Sequence, residues 1–297
     1  MLAECPWPTY SRSVTRPDPL PEPPPTADHP PGAPNVVATG TAQRRLADGR
    51  LDRLVEEEPL LLVVDGQPLL TMRTPGRDED LAVGFLLGEG VVRRADEVVE
   101  LTAHAAREDR PAELQIRLRS GPSPLAKARL TRTHEIRSSC GICGSADLQA
   151  ALDGALPLLP GVPRLPRRSV AELLAALRAR QPLFDATGGS HGALVADAHG
   201  RLLGHGEDVG RHNALDKAIG MAARSGADLG TAIAVLSGRA GFDLVVKCLR
   251  ARVPVIVSVS APSAAAFDLC NAAGATLLGF ARGDSFVTYC GAERLTE

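Results

Sequence analysis

Apolar positions between residues 36 and 297 follow two spacings, and the switches between them mark the elements. Leu60–Val64 and Gln67–Met72 flank Asp65-Gly66. Asp-Gly accepts the positive φ angles of a type I′ turn, so a β-hairpin is predicted. Asp78-Glu79-Asp80 open the apolar run Leu81–Leu87, which Gly88 and Gly90 close. Acidic residues in the first turn and glycine at the end predict a helix. Leu114, Ile116 and Leu118 alternate with Gln115 and Arg117, the period of a half-buried strand. Ser169 and Glu172 have capping-box spacing, so a helix is predicted through Leu173, Leu174 and Leu177.

Beyond this point strand-like and helix-like runs alternate. Strands are predicted at Ala193–Ala196, Ala232–Leu236, Val253–Val259, Thr276–Phe280 and Phe286–Tyr289. Helices are predicted over Asp208–Ala223, through Leu244 and Leu249, and over Ser263–Ala273. The pattern predicts an α/β fold (α+β overall), with a sheet covered by helices on both faces. Four segments result: a disordered Pro-rich tail at 1–35, a strand-rich α+β domain at 36–137, a cysteine loop and connector at 138–168, and an α/β domain at 169–297.

Composition narrows the picture. The tail carries Pro23-Pro24-Pro25 and too few apolar residues to offset its ordering entropy. Aromatics make up 3% of the chain, so the core is expected to consist of Leu, Val, Ile and Ala, without stacking platforms for nucleic acid. The net charge of -2 gives no general attraction to polyanions. No run of 18 apolar residues predicts a membrane span, and no signal-peptide core opens the chain. The six cysteines are too few for a disulfide scaffold. A soluble cytoplasmic protein with reduced thiols is expected, without nucleic-acid or membrane partners.

Four groups of residues have the composition of reactive or binding sites. The first is Ser138-Ser139-Cys140-Gly141-Ile142-Cys143-Gly144, two thiols among small residues. Spacing alone leaves three roles open. A structural zinc site needs four ligands, and this pair supplies two. A dithiol oxidoreductase needs a thioredoxin-like setting, which is missing from the sequence pattern. A sulfur carrier needs an accessible thiolate, which Arg132, His134 and Arg137 would favour electrostatically. The second group is Thr187-Gly188-Gly189-Ser190-His191-Gly192, either a plain loop or a backbone cradle for an anion. The third is the run Glu207–Lys217. If helical from Asp208, it sets Asp208, His212 and Asp216 on one face, with Arg211 and Asn213 beside them. The fourth comprises three strand ends: Ser237-Gly238-Arg239, Ser260–Ser263, and Phe280-Ala281-Arg282-Gly283-Asp284-Ser285. Ligands of open α/β sheets bind beyond the carboxyl ends of strands, so these three are expected to share one groove.

Taken in order, these residues resemble the FdhD family of formate dehydrogenase accessory sulfurtransferases. The resemblance spans roughly residues 55–295. It is carried by Met72–Gly76, Gly84–Leu87 with Glu89-Gly90, the Cys140/Cys143 pair, Thr187–His191, Glu207–Lys217, Ser237–Arg239 and Ala261–Ser263. It implies a cytidine-deaminase-like C-terminal domain and a homodimer. It implies that a cysteine desulfurase loads persulfide sulfur onto Cys140, with Cys143 assisting, for transfer to the bis(molybdopterin guanine dinucleotide) cofactor of formate dehydrogenase. The cofactor-contacting residues it implies are Phe280, Ala281, Arg282, Gly283, Asp284 and Ser285. Gly188, Gly189, His191, Arg211, His212, Asn213, Ser237 and Arg239 join them on chemical grounds. No metal of the protein's own is expected: a zinc deaminase needs His-x-Glu and Pro-Cys-x-x-Cys, and Ser139 stands where that proline would be. The family's usual Phe-Asn-Val-Tyr reads Phe286-Val287-Thr288-Tyr289 here.

Overall fold

A computed structural model describes residues 40–132, 151–153 and 155–297. The tail, the Cys140/Cys143 pair and the expected domain boundary at 137/138 lie outside the described residues. The chain starts with a hairpin of β1 (Thr41–Arg45) and β2 (Leu51–Val55). The Asp65-Gly66 hairpin follows, with β3 (Glu58–Val64) paired residue for residue to β4 (Gln67–Arg73). Asp65 and Gly66 have φ of 45° and 82°, the left-handed pair that the predicted turn requires. With β5 (Val98–His104) and β6 (Ala112–Leu118) they form a sheet of order β4-β3-β6-β5. Helix α1 (Asp78–Gly88) matches its prediction, and α2 (Pro124–Arg132) ends the first half.

The second half holds a six-stranded sheet of order β13-β12-β11-β10-β8-β9. Its strands are β8 (His191–Ala196), β9 (Leu202–Asp208), β10 (Ile233–Leu236), β11 (Val255–Ser258), β12 (Thr276–Arg282) and β13 (Ser285–Cys290). β10, β11 and β12 run parallel, while β8, β9 and β13 pair antiparallel to their neighbours. The short strands β7 (Leu165–Pro166) and β14 (Leu295–Thr296) make a separate pair.

Helix α3 (Ser169–Arg178) covers one face, where Val170, Leu173 and Leu177 meet Leu194, Val235, Val257 and Leu278. The short α4 (Pro182–Thr187) leads into β8. The other face carries α5 (Arg211–Arg224), α6 (Phe242–Arg250) and α7 (Ala264–Ala272). One apolar core runs from Leu60, Leu62 and Leu114 through Leu81 and Leu86 to Leu215, Ile219 and Ile256. Each such fully buried side chain contributes about 1.5–3 kcal/mol. At the α1–α5 crossing a Cβ on Gly84 would stand 1.8 Å from the Asp216 carbonyl oxygen, and one on Gly220 1.8 Å from that of Asp80. The helices meet backbone to backbone, which only glycine allows. Among the described residues no helix is long and apolar enough to cross a membrane.

Three sequence expectations are corrected. Asp208 does not start a helix: it ends β9, a strand the apolar pattern hid, and α5 begins at Arg211. The inward positions of β9 are Gly204, Gly206 and Asp208, so no apolar alternation is visible. A Cβ on either glycine would lie 2.2 Å from a carbonyl oxygen of α5. Asp208, His212 and Asp216 therefore do not share one helical face. Second, α3 is present but Ser169 is its first residue, Arg168 stands at the N-cap, and the cap makes no side-chain hydrogen bond. Third, Phe280–Ser285 is not a loop after a strand. Phe280, Ala281 and Arg282 finish β12, Gly283-Asp284 turn, and Ser285 opens β13. The irregularity comes from Phe280, whose φ of 51° breaks the register between Gly279 and Arg282. By contrast, Ser263 caps α7 as expected, its Oγ accepting from the Ala266 N–H at 3.2 Å.

Candidate functional site

One end of the six-stranded sheet gathers most of the predicted residues. β10, β11 and β12 finish there, and antiparallel pairing brings the start of β8 and the end of β9 to the same end: Leu236 lies opposite Ala193, and His191 opposite Asp208. Ser237 Oγ accepts from the Gly192 N–H at 2.8 Å, and the Ser237 N–H donates back to the Gly192 carbonyl at 3.0 Å. His191 lies over Gly238, where a Cβ would be 3.5 Å from His191 Nδ1. Ser258 Oγ donates to the carbonyls of Gly238 (2.7 Å) and Ser260 (3.0 Å), and the Phe280 N–H donates to the Ser260 carbonyl at 3.1 Å. Three strand ends are thus stitched into one edge.

Helix α5 starts at this edge, so the positive end of its dipole faces it. Arg211 and His212 are part-exposed on its first turn. Arg211 Nε is buried and has no hydrogen-bond partner among the described residues. Burial and the Arg211 charge hold the His191 pKa below the ordinary histidine value. Burial, then Lys247 and Arg211, bring His212 down to about 4 against the opposing pull of Asp243, whose Oδ2 is 3.9 Å from His212 Nε2. Both imidazoles are therefore predominantly neutral at pH 7 and able to exchange protons.

Not every predicted residue projects into this edge. Ala281 is buried against the α3 face. Asn213 Nδ2 is engaged, donating to the Met72 carbonyl at 2.7 Å and to Asp208 Oδ1 at 3.2 Å. Gly188, at φ 64°, ends α4, and the Gly189 N–H donates to Thr187 Oγ1 at 3.1 Å. Arg239, Phe280, Arg282, Gly283, Asp284 and Ser285 are exposed. Among the described residues no group of three His, Cys, Asp or Glu side chains has the arrangement of a metal site.

The sequence singles out the run Glu207–Lys217 and Glu89, but not the contacts these residues make. Glu207 accepts from the Leu183 and Phe184 N–H groups at 2.9 and 2.7 Å and from Ser190 Oγ at 2.6 Å, fixing the glycine-rich segment to the start of α4. Asp208 and Lys217 form a buried pair on which Thr74 closes. Behind α5, Lys247 Nζ lies 2.9 Å from both Asp216 and Glu89. Burial pushes Asp216 up to about 6 despite Lys247. Burial opposes the Lys247 charge, but Asp216 and Glu89 outweigh it and hold the ammonium above the usual lysine range. Lys247 carried a local signal, a charge inside the apolar run Leu244–Leu249.

This arrangement, a sheet end lined by Gly, Ser, Arg and neutral His at a helix start on an α/β scaffold, has the chemistry that suits an anion or a nucleotide. Comparison with known proteins gives it a family. Residues 55–296 match the FdhD/NarQ family. The protein named sulfur carrier protein FdhD in Streptomyces avermitilis is 43% identical over 264 residues, covering 84% of this chain and 93% of that one. The protein of the same name in Mycobacterium tuberculosis is 42% identical over 260 residues, covering 83% and 93%. A crystal structure described as that of a formate dehydrogenase accessory protein from Desulfotalea psychrophila superposes with a TM-score of 0.65 at 23% identity, covering 86% of this chain and 97% of that one, a likeness of fold. The chain belongs to the FdhD/NarQ family.

Proposed function

We propose that this chain is a sulfurtransferase that takes persulfide sulfur from a cysteine desulfurase onto Cys140 and passes it to the bis(molybdopterin guanine dinucleotide) cofactor of formate dehydrogenase. The observation that carries the reading is the sheet end where His191, Arg211 and Arg239 gather in a chain whose relatives are named sulfur carriers. The buried Arg211 Nε without a partner suits an anionic ligand such as the cofactor's phosphates, and the turn Phe280–Ser285 offers backbone and Arg282 at the rim. The cofactor is substrate here, and the working form is a cytoplasmic homodimer.

The chemistry balances with the two thiols and an external thiol reductant. The Cys140 thiolate attacks the outer sulfur of the desulfurase persulfide; that S–S bond breaks and the desulfurase thiolate leaves. Cys143 then attacks the inner sulfur of the Cys140 persulfide. A Cys140–Cys143 disulfide forms and hydrosulfide departs, reduced by the two electrons of the thiol pair. A thiol reductant restores the dithiol. His191 and His212, neutral at pH 7, carry protons at the receiving end.

Intact-mass spectrometry after incubation with a cysteine desulfurase and cysteine tests this reading. A gain of about one sulfur mass in the wild type, reversed by reductant and absent in Cys140→Ala, is expected. No gain in the wild type with a competent desulfurase rejects sulfur carriage.

A further inference from the structure

Cys248, Cys270 and Cys290 all pack into the core beside α6, α7 and the sheet, and two of them meet. Cys270 is fully buried on α7, while Cys290, which ends β13, is half-buried. One residue joins them. The Ala275 N–H donates to the Cys270 carbonyl at 2.8 Å, and the Cys290 thiol donates to the Ala275 carbonyl at 3.5 Å. The Cys270 thiol in turn donates to the Cys290 sulfur. The frame around the pair is rigid. Cys290 lies opposite Leu277 in the β12–β13 ladder. Thr276 Oγ1 donates to the Gly291 carbonyl at 2.7 Å, and a Cβ on Gly291 would collide with the Ala275 carbonyl. The fully buried Arg294 donates from Nη1 to the Gly274 carbonyl at 2.7 Å.

The two thiols differ in a way that orders their chemistry. The hydrogen bond from Cys270 holds the Cys290 thiol below the ordinary cysteine value against the effect of burial, and the Leu277 N–H adds to it. The same hydrogen bond, followed by burial, pushes Cys270 up. Thiolate character and access decide which cysteine attacks first. Cys290 is therefore the nucleophile, and Cys270, shielded beside it, is the thiol that resolves. Cys248 fills neither role: it is fully buried, and burial pushes its thiol up to about 12.

We propose that Cys270 and Cys290 form a redox-active site, separate from the Cys140/Cys143 pair, that reacts with small thiol disulfides such as glutathione disulfide and closes to an intramolecular disulfide. The Cys290 thiolate attacks one sulfur of the small disulfide; that S–S bond breaks, and the thiolate that leaves takes up the Cys290 proton. Cys270 then gives up its proton and attacks the Cys290 sulfur of the mixed disulfide, and the second small thiolate leaves and is protonated. Two protein thiols lose two electrons, and the small disulfide becomes two thiols. The new bond joins the end of α7 to the end of β13. The opposite ends of these elements carry Ser263 and Ser285, at the end of the sheet where β10, β11 and β12 finish.

The test reduces the native full-length protein, exposes it to glutathione disulfide, alkylates it and digests it with trypsin without further reduction. Trypsin places Cys270 in peptide 253–282, Cys290 in 283–294, Cys248 in 248–250, and Cys140 with Cys143 in 138–164, so each pairing has its own mass. The expected product is 253–282 joined to 283–294, undone by dithiothreitol. Cys270→Ala is expected to stop at glutathione on 283–294, and Cys290→Ser to leave 253–282 unmodified. Cys140→Ala is expected to give the wild-type product, and loss of the product there overturns the separateness of the site. A wild type that keeps both cysteines alkylated, that carries glutathione on Cys290 without the joined peptides, or that joins them only after denaturation overturns the proposal. Should Cys270→Ala not fold, the wild type and Cys290→Ser decide by the same masses.

Discussion

Lys217 Nζ lies 2.7 Å from Asp208 Oδ2, and both side chains are shut off from solvent. The same carboxylate accepts from the Thr74 N–H (3.0 Å), the Gly210 N–H (2.9 Å) and Asn213 Nδ2 (3.2 Å), and Lys217 also donates to the Thr74 carbonyl at 2.8 Å. A buried pair is tolerable when its remaining donors and acceptors are satisfied, as they are here. One ion pair thus ties the segment after β4 to the end of β9 and to α5.

Breaking that pair on one side leaves an uncompensated buried charge. Lys217→Met is expected to lower unfolding free energy by about 3–5 kcal/mol, and Asp208→Asn in the same background to recover part of the loss. Guanidinium denaturation of the two variants checks both statements; a single variant as stable as the wild type contradicts them.

The contact between α1 and α5 leaves no room at all. Gly84→Ala places a methyl where the Asp216 carbonyl stands, 1.8 Å from the new Cβ, and the rigid backbone on the other side cannot swing away. A loss at or beyond the usual overpacking range of about 1–3 kcal/mol is expected. The denaturation midpoint reads it, and an unchanged midpoint shows that the helices separate more readily than their packing indicates.

These two contacts mark the border of what sequence reading reaches. The Asp65-Gly66 hairpin, α1 and α7 were legible because turn, dipole and cap chemistry act within a few residues. The sharing of one edge by Ser237, Ser260 and Phe280 followed from strand ends of a parallel sheet. β9 stayed hidden because its buried face is Gly204, Gly206 and Asp208, residues selected by the backbone of α5 rather than by hydrophobicity. The Asp208–Lys217 and Lys247–Asp216–Glu89 contacts stayed hidden because each joins elements whose meeting depends on the whole fold. Phe280 in a left-handed conformation has no local signal, since a bulky residue there is held by its surroundings. The family resemblance held over nearly the whole globular part of the chain.

His212 gives the fold a definite response to acid. Its ordinary value of 6.5 falls to about 4, through burial first and the Lys247 and Arg211 charges second. Between these values the unfolded chain binds a proton that the folded chain refuses, so stability falls as pH drops from about 6.5 towards 4. Asp216 acts oppositely: with its folded value raised to about 6, it adds stability as pH falls through 6. Comparing wild type with His212→Gln cancels the Asp216 contribution to first order. The wild type is expected to lose stability relative to the variant below pH 6.5, and the His212 imidazole resonances to titrate near 4. A midpoint near 6.5 contradicts the buried, cation-flanked setting.

The proposed binding edge is tested through its arginines. Arg211 stands at the first turn of α5 with a buried Nε that lacks a partner, whereas Arg239 is exposed after β10. A charged hydrogen bond contributes about 1.5–3 kcal/mol. Arg211→Ala is therefore expected to weaken binding of the guanine dinucleotide cofactor by roughly tenfold to a hundredfold. For Arg239, a solvent-screened contact, a smaller loss that shrinks with added salt is expected. Titration of each variant with the cofactor at two salt concentrations separates the two effects. Equal, salt-insensitive losses mean that the arginines act through the fold, and undiminished affinity in Arg211→Ala moves the anion site away from the start of α5.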